Sequence, residues 1–539
     1  MRTSDHFRLR SGGGRSSLIG FSTLLLACGA GAAGSGSDLS ESASAQESGL
    51  APLSTVPVPA PVGGDVIDAA AAVRLGKAFF WDVQTGGDGV TACASCHFHG
   101  GADNRRLNTL NPGGDGVFAS GGVTGPGQLF NGASIANDDR VGSQGVARAT
   151  FVAVSSDPAT AADQCTPNPS PIFGTQRQVT GRNAPTVVGA VFFRDNFWDG
   201  RANHRFNGAD PFGSTGNGAG SLAIENASLA SQSVGPPNND VEMSCAGRTF
   251  NGPNSLAAKL LARTPLGHQI VSPADGVLGA NSNSPSSGLR CGAALCTYHD
   301  LIAAAFGSAL AADAANQFSR VWGQAVQAYE ATLVPNQTPL DRYLAGNSSA
   351  LTSQQQRGLD RFQGKGNCTK CHAGPELSDA TVGFAAANGL VNRDGGDQGF
   401  HNLGVRPTAE DLGRAGLGPA GVSFSVSGAA SDRGAFKTAA LRNVKLTAPY
   451  FHDGGKATLA DVVDFYARGG DFANPEKSHD LQPRSLDSGD RAALVDFLTN
   501  GLTDCRVEKE RAPFDHPSLP VPDGTDLPDV GAAGLGSCP

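Results

Sequence analysis

Apolar residues recur at helical spacing in separate stretches of the chain, and long polar, glycine-rich stretches lie between them. Seven stretches have this period: 66–80, 256–262, 298–312, 314–332, 340–362, 459–467 and 488–499. Pro335 and Pro339 separate the fourth stretch from the fifth, and Asp487 precedes the last one as a helix cap. The pattern predicts a mainly α-helical protein in two halves, with long loops and insertions.

The two halves share an order of elements that predicts two domains of one kind. In each half a helical stretch leads into the pentapeptide Cys-x-x-Cys-His, and loops and further helix follow. We expect a first domain over 63–335, enlarged by insertions such as Phe206–Pro237, and a second domain over 336–505. The proline-rich tail, 506–539, is expected to follow the surface without adding a domain.

The two pentapeptides carry the strongest chemical signal in the chain. They are Cys93-Ala-Ser-Cys96-His97 and Cys368-Thr-Lys-Cys371-His372. This spacing is the attachment signature of c-type haem, in which two thiols bond to the porphyrin and the adjacent imidazole binds the iron. A redox-active Cys-x-x-Cys, half of a zinc site or structural disulfides would leave the histidine after both pairs unexplained. The sequence therefore predicts two covalently bound haems c, with His97 and His372 as iron ligands.

Length and composition limit the number of domains and the class of partner that we expect. The chain has 539 residues, 73 of them glycine, with 17% charged residues and a net charge of −9. The length suits more than one domain, and the acidic balance argues against nucleic acid as a partner.

The N-terminus has the features of an export signal. An arginine-bearing stretch precedes the apolar run 18–27, which is too short to cross a bilayer as a helix. The run ends in Leu-Leu-Ala before Cys28 and resembles a bacterial lipobox, whose cysteine is lipidated after cleavage; an ordinary secreted signal peptide is the alternative. We predict a lipoprotein signal peptide over 1–27, lipidation at Cys28 and a flexible tether over 28–62. The expected location is the periplasm or cell surface of a Gram-negative bacterium, with a lipid anchor in the outer membrane.

Six further cysteines suit an oxidising compartment. They are Cys165, Cys245, Cys291, Cys296, Cys505 and Cys538. Their even number predicts up to three disulfides. Cys291 and Cys296 are near enough in sequence to pair with each other, and the other pairings stay open.

Several strings in the chain resemble those of the bacterial dihaem cytochrome c peroxidases and their MauG relatives. They are Arg182-Asn-Ala-Pro-Thr186, Phe197-Trp-Asp-Gly-Arg-Ala202, Val241-Glu-Met243 and Leu446-Thr-Ala-Pro-Tyr-Phe-His-Asp-Gly454. Arg357-Gly-Leu359 before the second motif and Asp461-Val-Val-Asp-Phe-Tyr466 after it are similar too. The resemblance spans about 66–502.

The resemblance implies a peroxidatic haem in the first half, a second haem that relays or stores electrons, and a calcium ion between the halves. Carried over by motif, Asn183 and the region of Thr447 and Pro449 would supply calcium ligands. Trp198 would lie between the two haems.

Glu242 would sit over the open face of the first haem. A carboxyl group with a raised pKa can move a proton from the inner to the outer oxygen of bound peroxide. Without the resemblance, Glu242 is more simply a solvated residue at a helix start capped by Asp240.

The second haem departs from the usual peroxidase pattern, in which methionine is its other axial ligand. This chain has only Met1, which is removed, and Met243, which lies beside Glu242. The aligned position holds Tyr466, as in MauG, and a phenolate oxygen favours ferric or higher iron. The alternative is a core aromatic, because Leu459, Val462, Val463 and Tyr466 share a helical face. Tyr450 and His452 are fallback ligands.

Two further departures concern the first haem. No histidine occurs between His99 and His204, where peroxidases that need reductive activation carry a distal histidine. The first iron is therefore predicted to be five-coordinate and ready in the ferric state. The insertion Phe206–Pro237 lengthens the segment between Trp198 and Glu242, and its role stays open, as does that of His401.

The sequence therefore favours a dihaem peroxidase that reduces hydrogen peroxide to water with electrons from a small redox protein, a cytochrome c or a cupredoxin. MauG-like oxidation of a protein or other bulky substrate is the first alternative, and a dioxygenase similar to the rubber oxygenases is another. Outside enzymes, the alternative is an electron-transfer lipoprotein. A homodimer is left open.

Overall fold

The computed structural model describes residues 49–216, 222–419 and 421–539. The predicted signal peptide, Cys28 and most of the predicted tether lie outside the described residues. Helices of the first half are α1 (Ala69–Trp81), α2 (Ala94–His97), α3 (Ser228–Ser233), α4 (Leu256–Leu260), α5 (Tyr298–Phe306), α6 (Ser308–Ala312) and α7 (Ala314–Glu330). The second half contains α8 (Pro339–Leu344), α9 (Ser353–Gln363), α10 (Val382–Asn388), α11 (Leu459–Arg468), α12 (Ser488–Asp496) and α13 (Cys505–Glu508).

Each of the seven periodic stretches contains α-helix, so the prediction of a mainly α-helical protein is confirmed. Local sequence explains several starts: Thr338, Thr352 and Thr458 cap α8, α9 and α11 and form capping boxes. Asp487 caps α12 as predicted, because its carboxylate accepts a hydrogen bond from the Asp490 backbone N–H.

Strands are short and antiparallel, and they pair only two at a time among the described residues. The pairs are β1 (Leu110–Asn111) with β2 (Arg140–Val141), β3 (Gln144–Ala147) with β6 (Arg177–Val179), β4 (Ala149–Ala153) with β5 (Gln164–Pro167), β7 (Arg290–Cys291) with β8 (Ala294–Leu295), and β9 (Phe400–His401) with β10 (Phe436–Lys437). Each strand has one partner strand; in the β3–β6 pair, for example, Gln144 lies opposite Val179. These ribbons hold the long loops in place.

One large cluster of buried apolar residues packs against each of the two motifs. The first joins α1, α5 and α7, and the second joins α9, α11 and α12. In both clusters the helix that precedes the motif crosses a later helix at a glycine. A Cβ on Gly76 of α1 would lie 1.9 Å from the Ala325 carbonyl oxygen, and one on Gly358 of α9 would lie 2.2 Å from that of Ala493. Only glycine permits backbones to approach this closely.

The tail differs from the expected surface course. Val507, Phe514, Leu519 and Val521 are buried in the cluster of the first half, so the tail returns from the second half and completes the first core. At the other end of the chain, Leu50 and Leu53 are buried as well, although both fall within the predicted tether. The predicted domain boundary near residue 335 stays a prediction.

Three disulfides pair the six cysteines outside the motifs. They join Cys165 to Cys245, Cys291 to Cys296 and Cys505 to Cys538. The predicted local pair, Cys291 with Cys296, is confirmed. The other two pairings join residues 80 and 33 positions apart, which sequence reasoning had left open.

Candidate active site

The first motif follows α1 and forms the short helix α2. The His97 Nδ1–H donates to the Gly101 carbonyl oxygen at 2.9 Å, which leaves Nε2 for another ligand. Burial lowers the pKa of His97, so the ring is neutral. The Phe80 ring, at the end of α1, lies 6.4 Å from the His97 ring.

The second motif repeats this arrangement. The His372 Nδ1–H donates to the Leu377 carbonyl oxygen at 3.1 Å, and burial lowers the pKa of the ring. The Phe362 ring, at the end of α9, lies 6.4 Å from the His372 ring. Each histidine is thus held through Nδ1 by a carbonyl oxygen of its own loop, and the Ala439 backbone also acts on the His372 ring.

The four motif cysteines are free thiols, whereas the other six described cysteines form disulfides. Burial raises the pKa of Cys93 above its usual range, that of Cys96 to about 11 and that of Cys368 to about 12. A redox-active Cys-x-x-Cys needs a lowered thiol pKa, so that alternative is disfavoured. Pairs of free cysteines, each followed directly by a histidine that its own loop holds through Nδ1, fit covalent haem.

A cavity of about 250 Å³ adjoins the second motif. Its walls include the Cys368, Cys371 and His372 side chains and apolar residues of α11 and α12. Trp198 and Asn183 also line this cavity. A large, mainly apolar space at this motif is the environment that a haem needs.

Tyr466, on α11, lines this cavity. The side chain is half-buried, and its hydroxyl makes no hydrogen bond with the described residues. Burial raises the pKa of Tyr466, and the charges of Cys371 and Cys368 raise it further, so the phenol lies close to both thiols. This placement suits the predicted ligand better than a fully packed core aromatic.

The two fallback ligands also line this cavity, and each has a further contact. The Tyr450 hydroxyl donates to the Val444 carbonyl oxygen at 3.2 Å. The His452 ring stacks on Phe436 with 3.5 Å between centroids, and burial lowers the pKa of His452 to about 3.

Glu242 lies in a turn rather than at a helix start, and the cap is Asn239 rather than Asp240. The Asn239 side-chain oxygen accepts the Glu242 backbone N–H at 3.0 Å. A Cβ on Gly145 of β3 would lie 1.9 Å from the Val241 carbonyl oxygen, so Gly145 lets the β3 strand pack directly on this turn.

The Glu242 carboxyl group is half-buried and makes no hydrogen bond or ion pair with the described residues. Burial raises the pKa of Glu242, and the nearby Arg201 guanidinium opposes this shift. The charge of Glu242 in turn raises the pKa values of Cys93 and Cys96. The carboxyl group is therefore close to the first motif, and its burial favours the protonated form more than exposure to water would.

Trp198 and Asn183, which lie in separate motif strings, are in contact. The Trp198 Nε1–H donates to the Asn183 carbonyl oxygen at 2.8 Å. The following residues reach the first motif, because the Thr186 hydroxyl donates to the Gly100 carbonyl oxygen at 2.7 Å. Since Thr186 also lines the cavity at the second motif, this segment runs from one motif to the other.

Of the predicted calcium ligands, Asn183 and Pro449 are in contact with each other, and calcium binding stays a prediction. The Asn183 side-chain amide donates to the Pro449 carbonyl oxygen at 2.5 Å, and the Thr447 hydroxyl donates to the Val444 carbonyl oxygen at 3.2 Å. Both Asn183 and Pro449 contribute oxygen atoms of the kind that calcium binds.

Sequence reasoning missed two buried acids. Asp379 accepts a hydrogen bond from His401 Nε2 at 2.8 Å, and both lie within ligand distance of Cys371. Glu330, at the end of α7, has no charged partner among the described residues, and burial raises its pKa to about 8. No periodicity or motif marks either residue; only the fold brings them to the haem motifs.

Comparisons with known proteins agree with this geometry. The family model for di-haem cytochrome c peroxidase matches residues 157–349, which include Asn183, Trp198 and Glu242. A cytochrome-c peroxidase IdrP2 of Denitromonas iodatirespirans is 36% identical over 202 residues, 33% of this chain and 47% of that protein. The methylamine utilization protein MauG of Methylorubrum extorquens is 31% identical over 36% of this chain and 46% of its own length.

These two alignments span about half the length of the relatives. A third relative, the cytochrome-c peroxidase IdrP1 of Denitromonas iodatirespirans, is matched more fully: it is 26% identical over 85% of this chain and 88% of its own length.

Proposed function

We propose that the chain is a member of the dihaem cytochrome c peroxidase and MauG family and a dihaem oxidoreductase that reduces hydrogen peroxide to water. The family model that matches residues 157–349 and the relatives of 36% and 31% identity support this proposal. Cys93 and Cys96 would hold the first haem and Cys368 and Cys371 the second, with His97 and His372 as iron ligands. Haem bound at the first motif supplies an iron centre that can activate peroxide. Two electrons from an external donor, a cytochrome c or a cupredoxin, complete the reaction.

The observation that carries this proposal is the state of Glu242. A half-buried carboxyl group with a raised pKa and no hydrogen-bond partner among the described residues, close to Cys93 and Cys96, can accept and release a proton at the first motif. In the proposed reaction this carboxyl takes a proton from the inner oxygen of peroxide and delivers it to the outer one. Trp198, within the segment that joins the two motifs, carries electrons from the second haem to the first.

The proposal is tested by Glu242→Gln, which keeps the shape of the side chain and removes its acidity. Peroxide turnover should fall at least about tenfold, since general acid and base catalysis typically contributes more than this. The haem absorption spectrum should be unchanged. Unaltered turnover would remove Glu242 from the reaction.

The resting state gives an independent test. The ferric protein should show one high-spin and one low-spin haem by electron paramagnetic resonance, and one equivalent of peroxide should change both signals without prior reduction. Two low-spin haems that ignore peroxide would favour an electron-transfer protein or a peroxidase that needs reductive activation.

MauG-like oxidation of a protein or another bulky substrate is the second candidate, and the placement of Tyr466 favours it. A phenol at the second haem stabilises ferric or higher iron, which suits a protein that stores oxidising equivalents. Peroxide consumption that continues without an added donor, with oxidation of an added protein substrate, would favour this candidate. Consumption that stops without a donor would favour the peroxidase.

The setting is also part of the proposal. The protein would be exported by residues 1–27, anchored through Cys28 and located in the periplasm or at the cell surface. In the part of the chain that the structure describes, no helix is long and apolar enough to cross a membrane. A calcium ion held near Asn183, Thr447 and Pro449 would fix the segment that carries Trp198, and chelation should then lower turnover.

A further inference from the structure

Trp81 is the last residue of α1 and belongs to none of the roles described so far. Its ring is 4% exposed, and its Nε1–H donates to the Tyr329 hydroxyl oxygen at 3.0 Å. Tyr329 lies on α7 and is 2% exposed. A tryptophan and a tyrosine, the two side chains most easily oxidised by one electron, are therefore joined in the core of the first half.

This pair lies next to the His97 side of the first haem site. The Phe80 ring is 6.4 Å from the His97 ring, 5.5 Å from the Tyr329 ring and 6.0 Å from the Trp81 ring. One aromatic ring thus separates the iron-ligating imidazole from the pair. An electron can cross such a packed gap without an intermediate stop at Phe80, which is much harder to oxidise.

The other side of Trp81 leads toward the surface through the tail. The His516 ring stacks on Trp81 with 4.7 Å between centroids and 10° between planes. Its Nδ1–H donates to the Pro517 carbonyl oxygen at 2.9 Å, and its Nε2 is 3.3 Å from the Glu510 carboxylate. The Glu510 side chain is 22% exposed. The Cys505–Cys538 disulfide closes the segment that contains His516.

The charges near the pair favour the loss of an electron. Lys77 lies 2.8 Å from Asp275 and 3.6 Å from Asp515, and all three side chains are fully buried. The cluster has two carboxylates and one ammonium group, and both carboxylates act on Tyr329, whose pKa they help to raise. Where both carboxyl groups are ionised, the cluster has a net negative charge, which stabilises a positive charge on a neighbouring ring. Burial raises the pKa of Asp515, so this condition is met at higher pH than for an exposed carboxyl group.

We propose that Trp81 is a redox-active residue of this protein, which gives an electron to the first haem site and recovers it through His516 from a donor bound near Glu510. The inference rests on the proposed peroxide reduction. Two electrons and two protons convert peroxide to two waters, and one of these electrons comes from the Trp81 indole. The indole becomes a radical cation, keeps its N–H hydrogen bond to Tyr329, and is restored by one electron from a reduced small redox protein.

The experiment uses the two-haem protein mixed with one equivalent of hydrogen peroxide and frozen at once for high-field electron paramagnetic resonance. The chain has three tryptophans, Trp81, Trp198 and Trp322, so three Trp→Phe variants assign the signal. We expect a tryptophan radical that is lost in Trp81→Phe. Retention of the signal in Trp81→Phe, or its loss only in Trp198→Phe, would overturn the inference.

Trp322→Phe is the matched control. Trp322 lies on α7 and is also fully buried. Its Nε1–H donates to the Ser233 carbonyl oxygen at 3.0 Å, and its ring stacks on Phe79 of α1 with 4.5 Å between centroids. The Trp322 ring makes no stacking or edge contact with the ring of Trp81 or of Tyr329. The radical signal should persist in this variant.

Two further measurements cover the case in which Trp81→Phe does not fold. Tyr329→Phe removes only the hydroxyl group, and the radical signal should then shift because Trp81 loses its hydrogen-bond acceptor. After repeated peroxide additions without a donor, mass spectrometry of the unaltered protein should find added oxygen on the Trp81 peptide and none on the Trp322 peptide. Equal or absent oxidation of both peptides would contradict the role of Trp81.

Peroxide consumption in the same samples separates this inference from the proposed function. Peroxide that is consumed without a Trp81 radical or Trp81 oxidation would overturn the relay and leave the peroxidase intact. Peroxide that is not consumed at all would overturn both.

Discussion

The surroundings of the two haem motifs are alike on the histidine side and different everywhere else. In both halves a glycine of the preceding helix sits under a crossing helix, a phenylalanine packs beside the histidine, and a loop carbonyl holds Nδ1. The surroundings of the two motif histidines are thus built in the same way.

The acids near the two motifs show the difference most clearly. Glu242 and Glu330, near the first motif, have no cationic partner within hydrogen-bond distance, and burial raises the pKa of both. Asp379, near the second motif, is paired with His401 at 2.8 Å. The first site can therefore hold and release protons, whereas the second holds a fixed ion pair next to a phenol. This difference suits a first site that reacts with peroxide and a second that stores electrons.

The largest loss of stability is expected from substitutions of the two glycines at the helix crossings. Gly76→Ala and Gly358→Ala each place a Cβ within about 2.2 Å of a backbone oxygen, so the helices must move apart. We expect each substitution to lower the free energy of unfolding by about 3 kcal/mol, at the upper end of the usual cost of overpacking. Urea unfolding of the haem-loaded proteins measures this.

Gly181→Ala serves as the control for these two variants. The nearest atom to its added Cβ is Arg140 Nη1 at 3.8 Å, so its stability should change by less than about 1 kcal/mol. If Gly76→Ala were as stable as Gly181→Ala, the close crossing would not be the common basis of the two halves.

The two motifs and the helices beside them could be predicted because each signal lies in residues that are neighbours in the sequence. Cys-x-x-Cys-His, the preceding apolar period and the cap at Asp487 each involve residues near one another in the chain. Glu242, Trp198 and Tyr466 were reached through strings that resemble a known family. Those strings identify the residues but not their hydrogen bonds.

The remainder could not be predicted because it depends on contacts between distant segments. His516 meets Trp81 across 435 positions only because the tail returns to the first half, and prolines in the tail suggested a surface course instead. Glu330 follows a helical period that says nothing about which charges will surround it. Burial of a lone carboxyl group is a property of packing and has no local sequence signal.

A smaller effect should follow from Glu330→Gln, which tests whether the first half holds an unpaired acid. Burial raises the pKa of Glu330 to about 8, so the folded protein keeps a proton that the unfolded chain releases above its ordinary value of 4.5. Stability should therefore fall as the pH rises from about 5 to 8. Since each pKa unit corresponds to about 1.4 kcal/mol and the site can relax, we expect a loss of about 2 kcal/mol.

Glu330→Gln should abolish that pH dependence and be more stable than the parent at pH 8 but not at pH 5. Urea unfolding at the two pH values measures the difference. Parallel pH profiles for the parent and the variant would mean that Glu330 is solvated or paired in solution.

Tyr466→Phe should have the smallest effect on stability and a selective effect on one haem. The hydroxyl makes no hydrogen bond with the described residues, so its removal should change the free energy of unfolding by less than about 1 kcal/mol. Loss of a phenolate ligand should alter the low-spin signal of the second haem and raise its reduction potential, while the high-spin signal of the first haem stays the same. Tyr450→Phe, which loses only a bond to the Val444 carbonyl oxygen, should leave both signals unaltered. If the two variants had the same spectra as the parent, Tyr466 would be a cavity-wall aromatic, and the chemical difference between the halves would rest on the acids alone.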